Sequence, residues 1–518
     1  MGQHEHEEQH AVRTCCPCGG HGASEGFTRR SFLGGLGGAA LGSAALAGVS
    51  WSALLAAEPE LPGPPPRRTL VVKPIFLYRI YERRPQTSWR SWGGVQTQQD
   101  ADQEVARING ELEKLQSAAD FPVKFLPLAA IRESKELAAH QEEIGAADVL
   151  LVYANDGDLN AIQKLGKDTV FFIRHKSGPV YLYYEIVSPR FLRQHSDTLA
   201  VKGIDDQDLV VDSQDEILWR LRSLAGLRAT IGSKILAVGG AGGWAAPNAP
   251  KLAQDRFKLE ILPFAYEELA KLIQAAKKDD AAVALAKRRA DAYLKQDGIT
   301  LETERAFVDN AFLLESVFRR IMSQSGCGAM TINSCMGTIM PMSDTTACLP
   351  LSLLNDDGYQ AYCESDFVVI PSGILACSIA GRPPFLNDPT YPHDGIITLA
   401  HCTAPRKMDG KNLEPARILT HFESDYGAAP KVEMHNGQKV TNILPDFKAE
   451  RWVGLTGEIV AHPFLPICRS QIDIRFNCDS LKLAERMPGF HWMTIYGDYT
   501  REIGYALKRV GITWEFLG

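Results

Sequence analysis

Residues 363–402 decide the fold and read CESDFVVIPSGILACSIAGRPPFLNDPTYPHDGIITLAHC. Glu364 and Asp388 each lie at the edge of an apolar run, and His401 follows a second apolar run at 395–400. Carboxylate and imidazole groups beside core-forming segments are costly to remove from water unless they are paired or bound to a metal. This stretch therefore predicts a polar site next to the protein core.

Length and composition place the chain among multidomain globular proteins. A chain of 518 residues exceeds the size of one hydrophobic core, so we expect two to four domains. The net charge of −7 and the lack of a basic stripe argue against nucleic acid as a partner. Eight of the cysteines lie between Cys327 and Cys478 without a CxxC pair, which predicts buried thiols rather than a disulfide framework.

Residues 1–60 predict an export signal. The pair Arg29 and Arg30 precedes Ser-Phe-Leu and then an uncharged run, rich in glycine and alanine, at 34–57. This pattern resembles the twin-arginine signal, so it predicts a periplasmic location and the twin-arginine translocation machinery as a partner. Because that route carries folded proteins, we expect any metal to be bound in the cytoplasm. A transmembrane anchor is the alternative, since the run is long enough to span a bilayer.

Alternating strand and helix patterns predict two α/β domains, at 68–226 and 227–379. In the first, an apolar strand at 69–78 precedes a helical periodicity at 100–116, and further apolar runs, including the one at 180–184, read as strands. Such alternation predicts parallel, doubly wound (Rossmann-like) sheets.

A glycine-rich turn at 239–243 follows the strand predicted at 234–238. A dinucleotide fingerprint would occupy this place, but the glycines lack the G-x-G-x-x-G spacing and no helix start follows them. A tight turn that lets two backbone segments approach closely is the better interpretation.

The C-terminal part, residues 380–518, predicts a β-rich, barrel-like domain. Its strand-like runs are short and separated by glycine, proline and asparagine. The runs at 448–453 and 456–461 read as two strands, and the one at 470–476 as another. A strand, a helix and a final strand follow within 491–516.

Local motifs in this order of domains resemble the L-fucose isomerase and L-arabinose isomerase family. The motifs ESD at 364–366 and FLND at 385–388 resemble the two acid motifs of the fucose isomerases and have the same separation. The run at 394–401 resembles the strand after the second acid, and GFH at 489–491 resembles the segment with a metal-binding histidine. The resemblance in architecture covers about 68–516.

The resemblance implies a divalent metal, most often Mn²⁺, held by Glu364, Asp388 and His491. His401 falls where the arabinose isomerases carry a second histidine, so it is a fourth candidate ligand. Two carboxylates with imidazoles suit such an ion better than a structural zinc site. Glu364 and Asp388 are also the candidate acid/base pair, because aldose–ketose isomerisation moves a proton between neighbouring carbons while substrate oxygens are held on an electrophile.

Each of these residues has an ordinary interpretation by itself. Asp388 could be a turn residue before Pro389, Glu364 an acid at a helix start, and His491 a buried core histidine. Their joint occurrence, in order and at the family's separation, favours the metal site.

Candidate sugar contacts lie at the end of the first strand. Arg79 and Arg83 occupy the place where family members use an arginine of the first domain, sometimes one from a neighbouring subunit, so we expect a homo-oligomer. Trp89 and Trp92 lie in the loop SWRSWGG and are candidates for stacking on a sugar ring. Ordinary loop packing explains these tryptophans equally well.

Three functional hypotheses follow. The first is an exported, metal-dependent isomerase that acts on a monosaccharide through an ene-diol. The second is a periplasmic sugar-binding protein of the same fold without catalysis. The third is an exported oxidoreductase that binds a dinucleotide at the glycine turn.

Overall fold

The computed structural model describes residues 61–90, 92–186 and 204–518. The chain is a mixed α/β protein with two parallel sheets and a closed antiparallel barrel. The predicted signal at 1–60, with Arg29 and Arg30, lies outside the described residues. Within the described ranges, the helices lack the combination of length and hydrophobicity needed to cross a membrane.

The first sheet contains six short, mostly buried strands that pair in parallel. They are β1 (Leu70–Leu77), β2 (Val123–Phe125), β3 (Ala129–Ile131), β4 (Val149–Ala154), β5 (Asp168–Ile173) and β6 (Leu209–Val211). Their order is β2-β1-β4-β5-β6, and β3 also pairs with β1. The helices of this region are α1 (Gln98–Ala118), α2 (Gln141–Ala146), α3 (Leu159–Gln163), α4 (Leu182–Glu185) and α5 (Gln214–Thr230).

The prediction of a strand at 180–184 is wrong. Tyr181 is fully buried, its hydroxyl donates to Glu104 Oε1 over 2.6 Å, and helix α4 begins at the next residue, Leu182. The run resembles a strand because its residues are aliphatic and aromatic. A hydrogen bond to a distant helix, which the local pattern does not contain, decides the structure here.

The second sheet contains four parallel strands in the order β11-β10-β7-β8. The strands of this region are β7 (Lys234–Val238), β8 (Glu260–Phe264), β9 (Ile299–Leu301), β10 (Ala329–Ile332) and β11 (Gln360–Cys363). Strand β9 belongs to a separate small sheet. The helices are α6 (Ala249–Phe257), α7 (Tyr266–Lys277), α8 (Asp280–Leu294), α9 (Arg305–Ser325), α10 (Met340–Ser343), α11 (Cys348–Asp356) and α12 (Ile370–Ala380).

The C-terminal region forms the predicted barrel. Its elements are β12 (Phe385–Pro389), β13 (Ile396–His401), β14 (Ala416–His421), β15 (Tyr426–Val432), β16 (Lys439–Pro445), β17 (Arg451–Ala461), β18 (Ser470–Phe476), α13 (Ser480–Arg486), β19 (Trp492–Tyr496), α14 (Thr500–Arg509) and β20 (Thr513–Phe516). Six antiparallel strands close in the order β16-β19-β12-β13-β18-β17 and back to β16. Strand β20 pairs in parallel with β17, and β14 and β15 join β9 in a three-stranded sheet.

The runs predicted as two strands at 448–453 and 456–461 belong to one strand, β17. Gly454 and Gly457 interrupt the apolar pattern and resemble a turn in the sequence. In the structure the Trp514 ring occupies the space beside Gly454, and Ile474 occupies the space beside Gly457. These glycines therefore permit close packing inside the strand instead of ending it.

Residues 363–402 join the second sheet to the barrel. They begin at the end of β11, continue through the mostly buried helix α12, and end with the barrel strands β12 and β13. The eight cysteines of the described part are all free thiols, and six of them are buried, as predicted.

Gly226→Ala is expected to destabilise the contact between α5 and α12. A Cβ at Gly226 would overlap the Ile379 side chain and lie 2.8 Å from the Ile379 backbone nitrogen. Overpacking of this kind typically costs about 1–3 kcal/mol, which urea unfolding would measure. Gly110→Ala, in the interior of α1 with nothing within 4 Å, is the matched control and is expected to be neutral or stabilising. Equal effects of the two changes would contradict the close helix contact.

Candidate metal centre

Glu364 occupies a strained turn directly after strand β11. Glu364 and Ser365 have φ angles of +66° and +47°, in the left-handed region that residues other than glycine rarely adopt. The Ser365 backbone nitrogen donates to Thr331 Oγ1 over 3.1 Å, and the Gly242 nitrogen donates to the Ser365 carbonyl over 3.2 Å. Such strain persists where surrounding contacts enforce it, which is common at functional sites.

The glycine turn at 239–243 supports this turn from the neighbouring strand β7. Gly242 pairs with Asp366, and the Phe367 nitrogen donates to the Gly242 carbonyl over 3.0 Å. The backbone nitrogens of Gly239, Gly240 and Gly242 all donate to carbonyl groups of the chain itself. Because these N–H groups are already used, they do not form the cradle of free donors that a dinucleotide pyrophosphate requires.

Two neighbouring barrel strands, and the residue that precedes a third, carry the other predicted ligands. Asp388 lies on β12 and pairs with Ala400, so His401 follows directly on β13. His491 comes one residue before β19, which pairs with β12 through Trp492 and Asn387. Antiparallel pairing therefore brings these side chains together, at the place where the barrel meets the end of β11.

The four side chains approach one another closely. Glu364 Oε2 lies 3.2 Å from His491 Nε2, and Glu364 Oε1 lies 3.7 Å from His401 Nε2. Asp388 Oδ1 lies 3.2 Å from His491 Nε2. Glu364, His401 and His491 offer ligand atoms that all lie within 4.8 Å of one another, and that group does not include Asp388. The buried Glu/His/His group could bind a metal ion.

Burial and mutual attraction shift the pKa values of these groups. Burial opposes the ionisation of Glu364, but the adjacent His401 and His491 hold its pKa well below the usual range. Burial also disfavours the charged imidazoles, yet the facing carboxylates raise the pKa of both histidines, that of His491 strongly. For Asp388, burial outweighs the attraction of the histidines and raises the pKa to about 7.

Buried polar atoms of this group lack hydrogen-bond partners. Within the described part of the chain, Asp388 Oδ1, His401 Nε2 and His491 Nε2 are buried without a protein hydrogen bond. Buried polar atoms are nearly always bonded, so a converging set of unbonded ones requires an ion or a water. All three atoms belong to types that bind divalent metals, so the residues fit such an ion.

Asp366 is a residue of this site that the sequence interpretation did not single out. Its Oδ2 lies 2.7 Å from His491 Nδ1, and its Oδ1 accepts from the Val368 nitrogen over 3.0 Å. A carboxylate bound to the far nitrogen of a metal-ligating histidine fixes the ring and its tautomer. The sequence signal for Asp366 is its position in the ESD motif, two residues after the candidate ligand Glu364.

The predicted sugar contacts lie elsewhere in the fold. Arg79 Nε lies 3.9 Å from Asp156 Oδ1, and Arg79 lines a cavity of about 280 Å³ beyond the ends of β1 and β3. Arg83 is exposed, Trp89 lies beside the guanidinium of Arg90, and Trp92 is 56% exposed. The lining of that cavity does not include the Glu/His/His group.

Comparison with known proteins assigns no family to this chain. No protein-family model matches it, and a search of curated proteins found no match. The candidate function therefore depends on the geometry of the site.

Proposed function

We propose that the chain is a metal-dependent aldose–ketose isomerase that acts on a monosaccharide, with Mn²⁺ as the preferred ion. The observation that carries this proposal is the placement of Glu364 and Asp388, each with an oxygen 3.2 Å from His491 Nε2. Two carboxylates and two imidazoles at one buried point suit Mn²⁺, whose remaining coordination positions would be open to substrate oxygens.

The different environments of the two carboxylates suit proton transfer. The adjacent histidines hold the pKa of Glu364 low against the effect of burial, whereas burial raises the pKa of Asp388, so the two carboxylates differ in their affinity for a proton. Glu364 accepts the proton from C2 of the aldose and returns it to C1, while Asp388 moves a proton between O2 and O1. A divalent ion held by Glu364, Asp388, His401 and His491 would supply electrostatic stabilisation of negative charge on the substrate oxygens.

The fold and the signal motif support the finer parts of the proposal. When β3 is left out, the order β2-β1-β4-β5-β6 of the first sheet corresponds to the order 2-1-3-4-5 of doubly wound, flavodoxin-like domains. A barrel after two parallel sheets agrees with the resemblance to L-fucose and L-arabinose isomerases. We propose export to the periplasm through the twin-arginine motif at Arg29 and Arg30, with the metal already bound, and assembly as a homo-oligomer.

Removal of the metal is expected to abolish isomerisation. Purified chain should contain about one divalent ion, and a chelator should stop the interconversion of aldose and ketose across a panel of free pentoses and hexoses. Added Mn²⁺ should restore the activity, whereas Ca²⁺ should not, because it prefers a larger set of oxygen ligands.

Two outcomes would contradict the isomerase. A chain that contains no divalent ion and binds none would remove the basis of the proposal. Sugar binding without turnover at saturating Mn²⁺ would favour the periplasmic sugar-binding protein instead.

A further inference from the structure

An aromatic pair lies beside the metal group. The rings of Trp244 and Phe490 are stacked with centroids 4.1 Å apart and an interplanar angle of 14°. Phe490 precedes His491 in the chain, and their ring centroids lie 4.7 Å apart at 75°. The stacked pair therefore adjoins a candidate metal ligand.

Trp244 is held in place by the same carboxylate that orients His491. Its backbone nitrogen donates to Asp366 Oδ1 over 3.4 Å, while Asp366 Oδ2 contacts His491 Nδ1 over 2.7 Å. The preceding residues are the glycine turn, which pairs with Asp366 through Gly242. Asp366 thus contacts both the His491 ring and the backbone of Trp244 next to the end of β11.

Trp244 remains 47% exposed although one ring face is covered by Phe490. An indole that is held against a second ring, partly exposed and close to a convergent polar group has the features of a ligand site. The negative face of an indole attracts groups with partial positive charge, such as the C–H bonds of a sugar carbon chain. Adjacent carboxylates and imidazoles would meet the hydroxyl groups of the same molecule.

We propose that Trp244, supported by Phe490, is the platform on which the C–H face of the monosaccharide packs, on the basis that the metal group is the isomerase centre proposed above. The sugar hydroxyls then face Glu364, His401 and His491. This assigns sugar recognition to a residue after β7, not to the tryptophans of the 89–92 loop.

Calorimetric titration of the Mn²⁺-loaded chain with five- and six-carbon alditols tests the platform independently of turnover. Trp244→Ala is expected to raise the alditol Kd about tenfold, and Trp244→Phe about two- to threefold, because phenylalanine keeps a smaller flat ring. Trp244→Leu is expected to behave like the alanine variant and decides the result if the alanine variant loses its metal. Phe516→Ala is the matched control, since Phe516 is 50% exposed on β20 and its loss should leave Kd unchanged.

For an aldose that is converted, Trp244→Ala should raise KM with little change in kcat, as expected when binding is lost equally in ground and transition states. Unchanged Kd in the alanine and leucine variants would overturn the platform, as would a wild-type chain that binds no alditol or aldose at high millimolar concentration. If Trp244→Ala weakens binding but no aldose is converted, the platform stands and the isomerase proposal fails. If turnover occurs with unchanged KM in the variant, the isomerase stands and the platform fails.

Discussion

Glu364→Gln is expected to lower isomerase activity by about 10³-fold and to release most of the bound divalent ion. Glutamine has nearly the same shape as glutamate, but it carries no charge and replaces one oxygen by an NH₂ donor. Glu364 faces His491 Nε2 over 3.2 Å and His401 Nε2 over 3.7 Å with its two oxygens, so the amide donor must point towards one of these imidazoles. The measurements are kcat/KM with an aldose that the wild type converts and metal content by mass spectrometry.

Glu302→Gln is the matched control for that change. Glu302 pairs with Arg417 over 2.7 Å, but the two side chains are partly exposed, Glu302 at 38% and Arg417 at 34%. Surface pairs contribute little to stability, and this one is part of neither the metal group nor the aromatic pair. We therefore expect wild-type activity from the control. A Glu364→Gln variant that keeps its metal and its activity would contradict the proposed centre.

Asp366→Asn is expected to reduce metal affinity by about 10–100-fold while the chain remains folded. The Asp366 carboxylate lies 2.7 Å from His491 Nδ1 and so orients the imidazole with Nε2 directed towards Glu364 and Asp388. Asparagine can still accept from the Val368 and Trp244 nitrogens through its remaining oxygen. The loss is thus confined to the negative charge behind the imidazole. Competition with a fluorescent chelator measures the metal Kd.

Asp212→Asn provides the corresponding control at a distant turn. Asp212 also has a positive φ, +61°, and its carboxylate accepts from the backbone nitrogens of His175, Lys176 and Ser177. This substitution should change stability without changing metal affinity. Equal metal affinity in Asp366→Asn and the wild type would show that Asp366 does not position His491.

The order of secondary structure could be predicted well where side chains alternate or repeat along the chain. Strand β18 has the predicted bounds, 470–476, because both of its ends coincide with changes in polarity that are visible locally. The prediction of two strands at 448–453 and 456–461 is wrong, since Gly454 and Gly457 imitate a turn unless the positions of Trp514 and Ile474 are known. The errors thus arise where a residue type has two uses and only a distant contact selects between them.

In the site too, local motifs predict some residues, whereas distant contacts decide the others. The motifs at 364–366, 385–388 and 489–491 predict Glu364, Asp388 and His491 as ligands, because together they resemble the motifs of the isomerase family in order and separation. The contact of Asp366 with His491 and the stacking of Trp244 on Phe490 join residues more than a hundred positions apart. No periodicity or local spacing contains such pairs.

The sequence by itself determined many of the strands and helices, that polar groups lie beside the core at 363–402, and that residues 380–518 are rich in strands. Local propensity and hydrophobic pattern are properties of neighbouring residues, so they can be read along the chain. The tertiary structure alone decided that the barrel closes through pairing of β16 with β17. It also decided that Glu364, Asp388, His401 and His491 meet, because burial and unsatisfied polar atoms depend on which distant surfaces pack together.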